Sequence, residues 1–217
     1  DVDLRVGELA VVYASASKFD VLQVASKTAT SITFSSVTLS AYSVGDYVMP
    51  IRIGRLMEDH GFGFYEEPCE FDDVWSTKEV ADALTRIPVA GGEQEYSMHR
   101  WQYAIGERGL DIVQPDLHYG GGLIRATQVA RMAAAAGMQV VPHMSGGGLG
   151  YLDVVHFASF TPNIGPFMEF KGNTNLPVEC KTSSLKCASG IVRCPDGPGF
   201  GVTIDPAFVK RCEVVRP

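Results

Sequence analysis

Leu110-Asp111-Ile112-Val113-Gln114-Pro115-Asp116 is a short apolar run closed by a proline and an acid. The chain then passes through Gly122–Ala136, where Leu123, Val129 and Met132 sit among the apolar positions of a helix, and Gly137 follows. Gln139-Val140-Val141-Pro142-His143 repeats the first pattern, an apolar run closed by a proline and a titratable side chain. Strand, helix and strand in that order make a βαβ unit, whose two strands pair in parallel.

Working outward, the same alternation extends both ways. Upstream, the reading gives a helix over Ile51–His60 stopped at Gly61, a strand at Phe64–Glu66, a helix at Lys78–Arg86, a strand at Val89–Ala90 and a helix at Met98–Arg108. Gly61 suits the left-handed position that ends a helix. Ser76-Thr77-Lys78-Glu79 reads as a capping box, and Ser97 as the cap of the third helix. Downstream come a mostly helical Gly148–Phe160 and a last strand at Phe167–Glu169. The expected fold is α/β, a partial (β/α) barrel of the TIM type with about five βα units.

Length agrees with a partial barrel. The chain has 217 residues, and a complete barrel of this type typically takes about 250. Hydrophobic residues at 46% and charged residues at 20% fit a globular chain with a sizeable core. A net charge of −7 argues against a general nucleic-acid binder, whose footprint is basic. No apolar run approaches the ~20 residues of a membrane-spanning helix, so no membrane role is expected.

Residues 1–50 have another texture. The runs Glu8–Tyr13, Phe19–Ala25, Ser31–Leu39 and Asp46–Ile51 are rich in Val, Thr, Phe and Tyr, and twelve residues from Ser15 to Ser43 are Ser or Thr. They predict three or four strands, a β-rich segment of unknown role ahead of a barrel part over residues 51–217. The five cysteines, Cys69, Cys180, Cys187, Cys194 and Cys212, include no Cys-x-x-Cys, and the spacing of seven among Cys180, Cys187 and Cys194 matches no common zinc pattern. Reduced structural thiols in a cytoplasmic protein are the expectation.

Chemistry is concentrated just after the short strands. Glu66, Glu93, Asp116, His143 and Glu169 follow one another at separations of 27, 23, 27 and 26 residues, one βα unit each time. In a parallel barrel such positions gather around the mouth at the C-terminal ends of the strands, where active sites lie. Two carboxylates on neighbouring strands, Glu66 and Glu93, suit a hard divalent cation such as Mg²⁺. Asp116 and His143 suit a base whose imidazole is oriented by a carboxylate. A protonated Glu169 could donate a hydrogen bond to an oxyanion.

Around these lie less specific residues. Glu67 should face away from the mouth and pair with a cation of the barrel. Gly120–Gly122 and Gly146–Gly148, with Gly146 and Gly147 foremost, either present backbone N–H groups to an anionic substrate or only shape their loops. His118 and Arg125 either contact a substrate carboxylate or serve the fold. His60, His99 and His156 fall on helical segments and read as surface or packing residues.

Phe64-Tyr65-Glu66-Glu67-Pro68, Ala90-Gly91-Gly92-Glu93-Gln94, Val113-Gln114-Pro115-Asp116, Val141-Pro142-His143-Met144-Ser145 and Phe167-Met168-Glu169-Phe170 together resemble the mandelate racemase/muconate lactonizing enzyme branch of the enolase superfamily. The resemblance runs from about Ile51 to Pro206. It implies Mg²⁺ as cofactor, with Glu66 and Glu93 as ligands, Asp116–His143 as the base dyad and Glu169 as the group that stabilises the enolate oxygen. It further implies abstraction of the proton α to a carboxylate and, with a dyad and no second base, dehydration of a small sugar acid.

The chain also departs from that family. A third metal carboxylate is expected one βα unit before Glu66, near Phe34–Ser40, where Val37, Thr38, Leu39 and Ser40 stand; Asp46 lies past the strand. The family's Lys-x-Lys pair has no counterpart in the sequence. Two readings therefore stand side by side: an Mg²⁺-dependent dehydratase or racemase, or a non-catalytic chimera, fragment or phage-like structural protein using the half barrel as scaffold. Either way a half barrel exposes sheet edges, so a homo-oligomer or a partner chain completing the barrel is expected.

Overall fold

The computed structural model describes residues 9–15, 18–27, 32–35, 48–144, 148–170 and 176–213. The chain divides into two units, Asp1–Asp46 and Tyr47–Pro217. In the first, β1 (Leu9–Ser15), β2 (Lys18–Lys27) and β3 (Ile32–Ser35) form an antiparallel sheet in chain order. Val11 lies opposite Val21 and Val24 opposite Phe34, with a register shift in each pair of strands. Three of the expected β runs are thus present. The fourth, Asp46–Ile51, is not a strand where it is described: helix α1 (Val48–Asp59) starts at Val48. Pro50 is compatible with that start, because the first-turn N–H groups of a helix have no intrahelical partner.

The second unit alternates as the βαβ reading requires. After α1 come β4 (Tyr65–Glu66), α2 (Val74–Ala83), β5 (Val89–Gly91), α3 (Met98–Gly106), β6 (Ile112–Val113), α4 (Gly122–Ala135), β7 (Gln139–Val140) and α5 (Gly150–Phe160). The strands pair in parallel in the order β4-β5-β6-β7. Glu66, Ala90, Ile112 and Gln139 share one register line across the sheet. Polar residues beyond that line therefore rise to one rim.

Local signals place the helices. Gly61, at φ +70°, ends α1 as a left-handed residue. Ser97 caps α3, accepting the Arg100 N–H at 3.4 Å. The capping box at Ser76–Glu79 is not used as such. Helix α2 begins earlier, with Asp73 as cap accepting the Ser76 N–H at 3.0 Å. A carboxylate reaches the orphan donors of a first turn as well as a hydroxyl does. In α4 the buried residues are Ala126, Val129, Ala130 and Ala133, one stripe at helical spacing. Val80, Val89, Val113, Val140 and Phe157 are fully buried and join helices to sheet. Burying each such side chain stabilises the fold by about 1.5–3 kcal/mol.

The fifth unit is shorter than expected. Phe167–Glu169 is not a strand; the parallel pairing after β7 is a single bridge from Val140 to Ile164. Pro162 and Pro166 bracket that bridge and have no N–H to donate, so the ladder cannot extend in the usual way. The described sheet thus has four strands and one bridge. The C-terminal segment adds a small antiparallel pair, β8 (Val178–Glu179) with β9 (Thr203–Ile204), and α6 (Pro206–Arg211), capped by Asp205.

Candidate active site

Asp116 and His143 meet at the centre of the rim. Asp116 Oδ2 lies 2.8 Å from His143 Nδ1, and both residues are buried. The other oxygen, Oδ1, accepts the backbone N–H groups of His118 at 2.6 Å and Tyr119 at 2.7 Å. These donors come from the turn after β6, so the carboxylate is fixed before it orients the imidazole. With a carboxylate on Nδ1, the Nδ1–H tautomer leaves Nε2 toward the mouth.

Around Nε2 stand acids. Glu93 Oε2 is 3.2 Å away and Glu169 Oε2 is 3.7 Å away. Glu169 is itself held by the Met144 N–H at 2.6 Å. Glu93 reaches the rim because Gly92 turns the chain at φ +101°, and a β-carbon there would strike the Trp101 ring. Across the mouth, the Glu66 carboxyl is pushed up by partial burial, then by Glu169 and Glu93, against a hydrogen bond from Gln114 that lowers it. All five strand-end residues of the sequence reading therefore share one site: Glu66, Glu93, Asp116, His143 and Glu169.

The neighbours are placed differently. Glu67 does turn from the mouth, into an apolar recess with Cys69, Val74, Trp101 and Leu110. Its expected cation partner is absent among the described residues; a Gly92 backbone hydrogen bond meets it, and burial followed by Glu93 and Glu66 raises its pKa. His118 lies between Asp116 Oδ1, at 3.9 Å from Nδ1, and Asp153 Oδ2, at 3.5 Å from Nε2. Arg125 donates through Nη2 to the Tyr96 carbonyl at 2.6 Å, tying the first turn of α4 to the loop after β5. Gly146 and Gly147 lie outside the described residues.

Three residues join the site unforeseen. Gln114 is buried and bonded to Glu66. Its position two residues before Asp116, the alternation of an extended chain, was the available signal. Tyr119 is exposed, with its ring 6.2 Å from the His143 ring. Asp153 enters from the first turn of α5, a placement that only the fold supplies.

The residues fit Mg²⁺ in type and only partly in number. Glu66 and Glu93 offer hard oxygens, and the like-charge push on Glu66 is what a cation would relieve. Among the described residues no group of three His, Cys, Asp or Glu could hold a metal ion. Asp46, the nearest upstream acid, lies outside the described residues.

A parallel βα sheet whose rim gathers a carboxylate–imidazole pair and three further acids is part of a TIM-type barrel. Residues 36–208 match the enolase C-terminal domain-like family, and the chain belongs to it, within the mandelate racemase/muconate lactonizing enzyme branch. The match begins at residue 36, upstream of the Ile51 boundary expected from the motifs. Arabinonate dehydratase of Saccharolobus solfataricus is 30% identical over 171 residues, covering 77% of this chain and 44% of that enzyme. D-galactarolactone cycloisomerase of Agrobacterium fabrum is 32% identical over 169 residues, covering 71% and 43%. Among solved structures, the 3,6-anhydro-D-galactonate cycloisomerase of Zobellia galactanivorans superposes with a TM-score of 0.63 at 28% identity, over 76% of this chain and 46% of that one. The chain spans about half the length of the curated relatives it matches. Those relatives are enzymes, and nothing in the comparisons supports the phage-like structural alternative. No helix among the described residues is long and apolar enough to cross a membrane.

Proposed function

We propose that the protein removes the proton α to the carboxylate of a small sugar acid and expels the β-hydroxyl as water. The observation that carries this reading is the buried Asp116–His143 pair at 2.8 Å, with Nε2 turned to the mouth. His143 Nε2 accepts the α-proton, and Asp116 stabilises the imidazolium that results. The same nitrogen then returns the proton to the departing hydroxyl, and the enol tautomerises to a 2-keto acid. Glu169, anchored by Met144 N–H, stands where it can meet the developing oxyanion. Glu66 and Glu93 would hold Mg²⁺, which supplies Lewis-acid stabilisation of the enediolate. His118 and Arg125 would contact the substrate carboxylate. Gly146 and Gly147 follow His143 closely enough in the chain to offer backbone N–H groups to the substrate.

Strand β4 ends the described sheet, with exposed Phe62 and Phe64 beside it. We propose that a second copy or a partner segment covers that edge. All five cysteines are free, which supports a reducing, cytoplasmic setting.

The test is α-proton exchange. A panel of aldonic and aldaric acids is incubated with the protein and Mg²⁺ in D₂O and followed by proton NMR. At least one acid should lose its α-proton signal, and His143→Asn should slow that loss by about 10³-fold or more. An equal rate in the variant, or no exchange above buffer with any acid, overturns the assignment.

A further inference from the structure

Away from the rim, α5 carries a second imidazole, and the proposed dehydration does not use it. His156 Nε2 lies 3.1 Å from the Phe200 carbonyl oxygen, which can only accept, so Nε2 carries the proton. Nδ1 is left with its lone pair, and Cys194 Sγ lies 3.5 Å from it. The Phe200 ring packs on the imidazole with centroids 5.3 Å apart, which restricts its rotation. A thiol, a base within hydrogen-bond reach and a third group orienting that base make up the general arrangement of an activated nucleophile. Both Cys194 and His156 are half-buried, so the pair is sheltered yet reachable.

We propose that Cys194 is a thiol-modification site that takes low-molecular-weight disulfides, with His156 as its base. As Cys194 sulfur attacks one sulfur of the disulfide, its proton passes to His156 Nδ1. A new S–S bond forms, the original S–S bond breaks, and the departing sulfur leaves as thiolate. Cys194 ends in a mixed disulfide and half of the small molecule is reduced, so electrons balance without a further oxidant.

The other thiols lack this arrangement. Burial pushes the Cys69 thiol up to about 11, against a hydrogen bond from Thr77. Cys187 and Cys212 are exposed, with no imidazole bonded to either sulfur among the described contacts. Cys180 is the serious competitor. A little burial raises its pKa, but backbone and hydroxyl hydrogen bonds from Thr182 and the Ser183 N–H lower it overall.

The test uses the intact chain and 5,5′-dithiobis(2-nitrobenzoate), itself a small disulfide. Absorbance after rapid mixing should show one equivalent released ahead of the rest. Peptide mapping of the unmodified-sequence protein after a brief exposure should place that first adduct on Cys194, which needs no variant to fold. Cys194→Ser should remove the fast equivalent, Cys180→Ser should keep it, and His156→Gln should slow it about tenfold with the thiol count unchanged. A first adduct on Cys180, Cys187 or Cys212, or a fast equivalent untouched by His156→Gln, overturns the proposal. Loss of α-proton exchange in any of these experiments bears on the rim alone and leaves this test unaffected.

Discussion

The two sides of the mouth are built to different degrees of completeness. On the β6–β7 side, Asp116 spends each oxygen on named partners, two backbone N–H groups and one imidazole, all between 2.6 and 2.8 Å. On the β4–β5 side, Glu66 faces Glu169 and Glu93, and partial burial, followed by these like charges, pushes its carboxyl up. The first side is satisfied by groups lying between residues 116 and 143. The second calls for more positive charge than His143, the one described residue that offsets these acids, supplies there. The geometry of the proposed base is therefore self-contained in this half barrel, whereas the proposed cation binding depends on something added. That contrast follows the chain: a dyad on adjacent strands needs only one βαβ unit, and a full ligand set needs more strands.

The largest effect should come from the satisfied side. Asp116→Asn keeps the shape and removes the charge. Its amide nitrogen cannot sit opposite two backbone N–H donors, so it must turn toward His143 Nδ1. Nδ1 then has to accept, the proton moves to Nε2, and the base is occupied. Exchange of the α-proton should fall by about 10³–10⁴-fold, as tautomer inversion does in comparable dyads. Nitrogen-15 NMR of the imidazole should report the change from Nδ1–H to Nε2–H even without substrate. An unchanged tautomer would erase the distinction between the two sides.

How much of this was legible in the sequence follows the same divide. Spacings of 23 to 27 residues brought five residues, four of them after sheet strands, to one rim, because each βα unit repeats the same geometry. Position along a strand also told Glu66 from Glu67. What could not be read was whatever depends on non-local packing. Glu67 lacks its expected cation because it enters a recess whose lining, Val74, Trp101, Ala104 and Leu110 among it, includes Glu95 but no Lys or Arg. Asp153 reaches His118 across the gap between two βα units, and no local pattern marks that. Phe167–Glu169 read as a strand because its apolar run is strand-like, but Pro162 and Pro166 confine pairing to Ile164. The start of α2 shifted for a local reason, since Asp73 offered a cap one turn earlier than Ser76.

The unsatisfied side gives the next effect. On the proposed role of Glu66 and Glu93, Mg²⁺ should raise the unfolding temperature by binding the folded rim and not the unfolded chain. At about ten times its Kd, one site adds about 1.4 kcal/mol. Glu66→Gln with Glu93→Gln should cancel that gain, measured by thermal melts with and without Mg²⁺. An equal gain in the double variant would place the ion elsewhere and leave the β4–β5 acids without a role in cation binding.

The smallest effect concerns Glu67, which sits behind the same acids in the apolar recess. Burial raises its folded pKa above the ordinary 4.5, Glu93 and Glu66 raise it further, and the Gly92 N–H offsets only part. A carboxyl with a raised folded pKa stabilises the fold below its unfolded pKa. That contribution is lost as pH rises through the folded value, and it stays lost at pH 7. Glu67→Gln removes the charge and keeps an oxygen for the Gly92 N–H. The variant should therefore melt a few degrees above the parent at pH 7, the scale on which ~1 kcal/mol moves a chain of this size, and level with it near pH 4. Melts at both pH values, without Mg²⁺, check this. A gain of equal size at pH 4 would mean that shape rather than charge is responsible. If saturating Mg²⁺ shrinks the gain at pH 7, the cation is relieving Glu66 and Glu93 and, through them, Glu67, which ties the recess to the incomplete side of the mouth.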